Sequence, residues 1–187
     1  MKQVYVLLAR TQTFTSKFVH FFAPAPFTHT ALALEPRTDK LYSYARRRLY
    51  NFLIGGIFVE NTKEFVYARF PDAPCVLYEL DVSDEAYDKI KSHIDFLMDN
   101  YDTATYNFLG MLLMRLGIVW KREKKFTCSQ FVAVAISKGE DTAFPKDPYV
   151  MLPSDFLKME GMRKIYEGKV CDCNFSQASI FKDKEKE

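Results

Sequence analysis

Glycine is scarce in this chain, 7 in 187 residues, and neither GxGxxG nor GxxxxGK[ST] occurs. That excludes the two glycine-rich loops that cradle nucleotide phosphates. No sign of charge dominates: 26 basic residues stand against 24 acidic ones, a net +2. So even a balance gives no electrostatic footprint for nucleic acid. The basic runs at 46–48 and 121–125 read as solvated strand or loop ends. Nor does any stretch reach the roughly 18 apolar residues of a membrane span; the longest, 108–119, is broken by Arg115. The N-terminal MKQVYVLLARTQTF has neither the apolar length of a secretory signal nor a small-residue cleavage site. A cytoplasmic protein without a transmembrane segment is therefore expected. The four cysteines, Cys75, Cys128, Cys171 and Cys173, form no CxxC pair and no secreted framework. Residues 171–173 are a lone CxC without further ligands in pattern, so neither a metal nor an organic cofactor is indicated.

What the chain does have is hydrophobic residues, 48% of the total, with 17 Phe and 11 Tyr among them. That is enough for a packed core at a length suited to one domain. Apolar, β-branched runs predict strands at 2–9, 28–35, 41–47, 54–60, 64–70, 74–83 and 163–170. The second and third would form a hairpin through a turn at 36–40. A short helix is expected at 11–22, stopped by Ala-Pro-Ala-Pro. Ser83 should cap a helix running to Met98, with Tyr87, Ile90, Ile94 and Leu97 on one face. Further helices are expected at 106–116, stopped by Gly117, and at 128–137, capped by Thr127 and ended by Gly139. A short one should follow at 153–159. Strands and helices are segregated rather than alternating, which predicts an α+β fold with a mostly antiparallel sheet. The last residues, 173–187, read as a charged tail.

Chemistry enters at FTCSQFVAVAI, where Cys128 heads an almost wholly apolar helix. A thiol there faces unpaired N–H groups, which favour the thiolate and can also hold an oxyanion. It needs a base, and the chain has only three histidines. His20 and His93 fall on helix faces and read as core-edge residues. His29 starts a strand whose same-face neighbours are Ala31 and Ala33, small residues that leave room for an approaching group. A strand-borne imidazole packed on the helix end could take the proton from the thiol and return it to a leaving group.

In this order and context the motifs resemble a known group. FTCSQFV (126–132), THTALALEPRTDKLYSYAR (28–46), GGIFVE (55–60), YNFLG (106–110) and PSDFLKMEGMRKIYEGKV (153–170) are together similar to the circularly permuted papain-like cysteine hydrolases of the NlpC superfamily. In that superfamily, which includes the lecithin:retinol acyltransferase-like proteins, the histidine precedes the cysteine. The resemblance covers most of residues 1–170 and implies one such domain over 1–172. It implies Cys128 as nucleophile and His29 as base, with Ser43 at the third, imidazole-orienting position. Members of the group use His, Glu, Asn or Gln there. A serine hydroxyl orients without adding charge, so Glu35 and Glu60 are the nearby carboxylates to weigh for that role. Arg46 is a candidate to pair with Glu60 or to bind a substrate carboxylate. Tyr106 is a candidate to help hold the oxyanion. The expected activity is that of a thiol hydrolase, a cysteine peptidase or amidase acting on a peptide or other acyl-amide through an acyl-enzyme. Two alternatives stand beside it. One is lipid acyl transfer by the same thioester chemistry, with the apolar stretch 107–120 lining an acyl groove. The other is a binding module that kept the fold without the chemistry.

Overall fold

The computed structural model describes residues 1–11, 26–48, 51–100, 104, 105, 107, 109, 110, 113, 116–122 and 125–174. The helices expected at 11–22 and, for most of its length, at 106–116 lie outside the described residues. So does the charged tail beyond Asn174.

Among the described residues seven strands form one sheet: β1 (Lys2–Ala9), β2 (His29–Ala33), β3 (Leu41–Arg48), β4 (Asn51–Glu60), β5 (Pro74–Val82), β6 (Ala104–Thr105) and β7 (Met162–Lys169). The spatial order is β6-β4-β3-β2-β1-β5-β7, and every described pairing is antiparallel. The class is therefore α+β, as expected. β1 lies inside the sheet and is buried on both faces, which is why VYVLLA reads as an unbroken apolar run instead of an alternating one. The β2–β3 hairpin forms, with Leu32 opposite Tyr42.

Alternation along the strands sorts the side chains onto two cores. Val4, Val6, Leu8, Leu32, Tyr44 and Val76 face the long helix α2 (Asp84–Asn100) and the apolar helix α3 (Cys128–Ser137). Tyr5, Leu7, Ala31, Ala33, Leu41 and Leu77 face the other way, where they pack with Tyr67, Ile165 and Val170. Ser83 caps α2 as expected, its Oγ accepting from Ala86 N at 3.0 Å. The helix then buries Ala86, Ile90, Ile94 and Leu97, one face of a 3.6-residue period. At 153–158 the short helix is of the 3₁₀ type, opened by Pro153.

One element differs in kind. Residues 64–70, EFVYARF, are expected as a strand, but Phe65–Arg69 is a helical turn, α1. Asn61 starts it: its Oδ1 accepts from Lys63 N at 2.9 Å and its Nδ2 donates to Glu64 Oε1 at 3.1 Å. An Asx turn of this kind bends the chain out of β4. A short apolar run fits either period, so its pattern could not decide. Pro71, just beyond, was the available helix-stop signal. At the far end, Cys173 is buried beside Cys75 and Val170.

Candidate active site

Cys128, His29 and Glu60 reach one place from three elements. Cys128 is the first residue of α3, and a capping box fixes that helix start. Thr127 Oγ1 accepts from Gln130 N at 3.2 Å, and Gln130 Oε1 accepts from Thr127 N at 2.9 Å. The box engages the N–H groups of Thr127 and Gln130 and leaves those of Cys128 and Ser129 outside it. Gln130 also donates through Nε2 to Tyr149 O at 2.6 Å and receives Asn107 Nδ2 at 3.2 Å. Its side chain therefore ties three segments together beside the cysteine.

His29 opens β2, paired with Ala9 of β1. Its Nε2 lies 2.9 Å from Glu60 Oε2, on the last residue of β4. That leaves Nδ1 as the other ring nitrogen, and Cys128 is near enough to help raise the imidazole pKa. Glu60 is fully engaged. Ser43 donates to its Oε1 at 2.6 Å, and Tyr67 donates to its Oε2 at 3.1 Å. The side chains of His29 and Glu60 are only 16% and 18% exposed, and Cys128 is 7% exposed.

The electrostatics follow from this burial and pairing. Burial works against charge on His29. The Glu60 carboxylate and the hydrogen bond to Cys128 outweigh it and hold the imidazole well above its ordinary 6.5. Burial works against charge on Glu60 too, yet the imidazole and the two hydroxyls hold its carboxyl below the usual 4.5. Burial, with Glu60 adding to it, pushes the Tyr67 phenol well up, so Tyr67 remains a donor. The site thus favours the protonated ring, with a carboxylate on one side and Cys128 close by.

The structure brings together Cys128, His29, Ser43 and Glu60 of the residues singled out from the sequence. It corrects the arrangement among them. Ser43 bonds Glu60 rather than the imidazole, and it is the carboxylate that meets the ring. Glu35 is exposed on the 34–36 turn, with Arg37 and Lys40 as its ion partners. Arg46 lies opposite Gly55, while Glu60 lies opposite Leu41. Five residues separate the two positions along the ladder, roughly 16 Å at the usual strand rise. The side chain of Arg46 and the whole of Tyr106 lie outside the described residues. The room expected beside His29 is filled, because Ala31 and Ala33 are fully buried in the core that holds Tyr67.

Tyr67 is the site residue that sequence reasoning missed. As a strand residue in 64–70 it had no reason to turn back on Glu60, and only the helical turn α1 brings it there. Of the other histidines, His20 lies outside the described residues. His93, on α2, has a buried Nε2 with no hydrogen-bond partner among them. No metal-holding cluster occurs among the described residues, and no described helix is long and apolar enough to cross a membrane. No protein-family model matches the chain, and no curated protein matches it.

Proposed function

We propose that the chain is a thiol hydrolase of permuted papain-like type, cleaving an amide bond through an acyl-enzyme on Cys128. The observation that carries this reading is the His29–Glu60 pair at 2.9 Å, an imidazole and a part-buried carboxylate, beside the helix-start sulfur of Cys128. The chain order, histidine before cysteine, agrees with the resemblance to the permuted group. Ser43 holds the third position, and the carboxylate comes from the neighbouring strand, as Glu60.

The chemistry uses these atoms in sequence. Cys128 Sγ, as thiolate, attacks the amide carbonyl, and the oxyanion forms beside the N–H groups at the start of α3. His29, charged through Glu60, gives its Nδ1 proton to the leaving nitrogen, and the C–N bond breaks. The neutral ring then takes a proton from water, whose oxygen attacks the thioester, and the acid product and thiolate are released. Glu60 remains ionised throughout. It fixes the ring and stabilises the imidazolium, while Ser43 and Tyr67 fix Glu60.

Iodoacetamide alkylation of Cys128, read by peptide mass spectrometry as a function of pH, tests this. Mapping by peptide is needed because Cys171 is exposed and will also react. In the wild type, Cys128 should be alkylated readily at neutral pH. In His29→Ala that reactivity should disappear. Reactivity indifferent to His29 would remove the dyad and favour a binding module on this fold.

A further inference from the structure

The chain between Asn107 and Phe126 is an excursion closed at its base. Asn107 N donates to Phe126 O at 3.1 Å, Asn107 Nδ2 to Gln130 Oε1 at 3.2 Å, and Gly110 N to Asn107 Oδ1 at 3.0 Å. Both ends therefore sit at the start of α3, next to Cys128. The far part turns at Gly117, whose φ is +69°. Leu116 N and Ile118 N both donate to Leu113 O at 3.0 Å. The six-residue closure onto Leu113, with glycine in the left-handed region, has the hydrogen bonding of a Schellman turn.

In such a turn the apolar residue after the glycine commonly packs back on the helix. Here it is exposed. Leu116 is 72% accessible, Ile118 48% and Val119 43%, three large aliphatic side chains within four residues. Directly behind them come Trp120, half-buried, and the cations Lys121 and Arg122. Arg122 lies over the Trp120 ring at 3.6 Å, and Lys121 lies 5.6 Å from the Tyr149 ring centre. The segment thus grades from aliphatic to aromatic to basic within seven residues. That is the depth profile of a group seated at a bilayer interface: aliphatics among the acyl chains, indole at the headgroups, cations against lipid phosphate. A protein partner would call for a broader, flatter apolar face with its polar groups paired around the rim.

We propose that residues 116–122 are a docking tip for an anionic lipid surface. Docking does not depend on Cys128 being a nucleophile.

The test is cosedimentation of the full chain with phosphatidylcholine vesicles, plain or containing about one-third phosphatidylserine. Binding is expected to the anionic vesicles and to weaken at least about tenfold on plain ones, or when salt rises to about 0.5 M, where charge attraction is screened. Leu116→Ser/Ile118→Ser/Val119→Ser should lose anionic binding by at least about tenfold, since its apolar anchor is gone. Lys121→Glu/Arg122→Glu should lose the preference for anionic lipid. Unchanged thermal unfolding and unchanged Cys128 alkylation in both variants would show that fold and thiol site are intact, whichever way the proposed hydrolase fares. Three results would overturn docking: no sedimentation of the wild type with anionic vesicles, undiminished sedimentation of the triple serine variant, or a wild-type dimer that this variant converts to monomer, which would assign the tip to a second copy of the chain.

Discussion

Glu60 accepts three hydrogen bonds through two oxygens. Its charge is the largest influence raising the pKa of the part-buried His29 imidazole. Glu60→Gln keeps the shape and removes the charge, so the His29 pKa should fall toward or below 6.5. The imidazole carbon-bound proton shifts, followed by NMR across pH, measure this, and an unshifted titration would deny Glu60 its role. The linkage signs differ for the two partners. Stability from His29, whose pKa is raised, is fully present below pH 6.5 and is lost as pH climbs through the folded value. Stability from Glu60, whose pKa is lowered, is present above pH 4.5 and is lost on acidification. His93 behaves oppositely to His29. Burial, with Lys138 nearby, lowers it to about 4, so between about pH 4 and 6.5 the unfolded chain binds the extra proton. Folded stability therefore falls as pH drops through that window. His93→Gln should flatten this part of the curve in urea titrations repeated at several pH values, and an unchanged slope would show that His93 is not the acid-sensitive group.

Among the elements, α3 carries the most of the site for its length. Its start is fixed by the reciprocal bonds of Thr127 and Gln130. Thr127→Ala should cost about 1 kcal/mol of stability, the usual loss of an N-cap, measurable by chemical denaturation. Gln130→Ala should cost more, roughly 1–3 kcal/mol, because it also removes the bonds from Asn107 Nδ2 and to the Tyr149 carbonyl. It should raise amide hydrogen exchange at Asn107 and Gly110 as the base of the excursion loosens, and unaltered exchange there would contradict the link. The capping box was readable from the sequence, because Thr127 and Gln130 stand at cap spacing before an apolar run. The turn α1 was not readable. Five residues give too little pattern to separate a period of 2 from one of 3.6, and the Asx turn at Asn61 decides it.

For the whole molecule, the sheet is buried on two sides and the site stands at one end of it. Ile94, fully buried in the core between α2 and the sheet, is expected to cost roughly 2–5 kcal/mol on replacement by alanine. Ile94→Ala should lower global stability while leaving the His29–Glu60 pair intact, since that pair is fixed by β2, β4 and α1. A loss of the raised His29 pKa in a still-folded Ile94→Ala protein would show that the two regions are coupled.

Periodicity and punctuation in the sequence determined the α+β class, most strand positions, the caps of α2 and α3, and the candidacy of Cys128 and His29. These are local properties, in which each residue answers to neighbours within a few positions along the chain. Which group touches which was settled by tertiary structure alone. Ser43 alternates onto the face that carries His29, but whether its hydroxyl meets the ring or a carboxylate depends on the β3–β4 register, which sets Glu60 opposite Leu41. Tyr67 joins them because the chain leaves β4 through a turn and coils back. Strand register and loop direction follow from how two sets of side chains fill a shared core, and that filling involves residues far apart in the sequence at the same time.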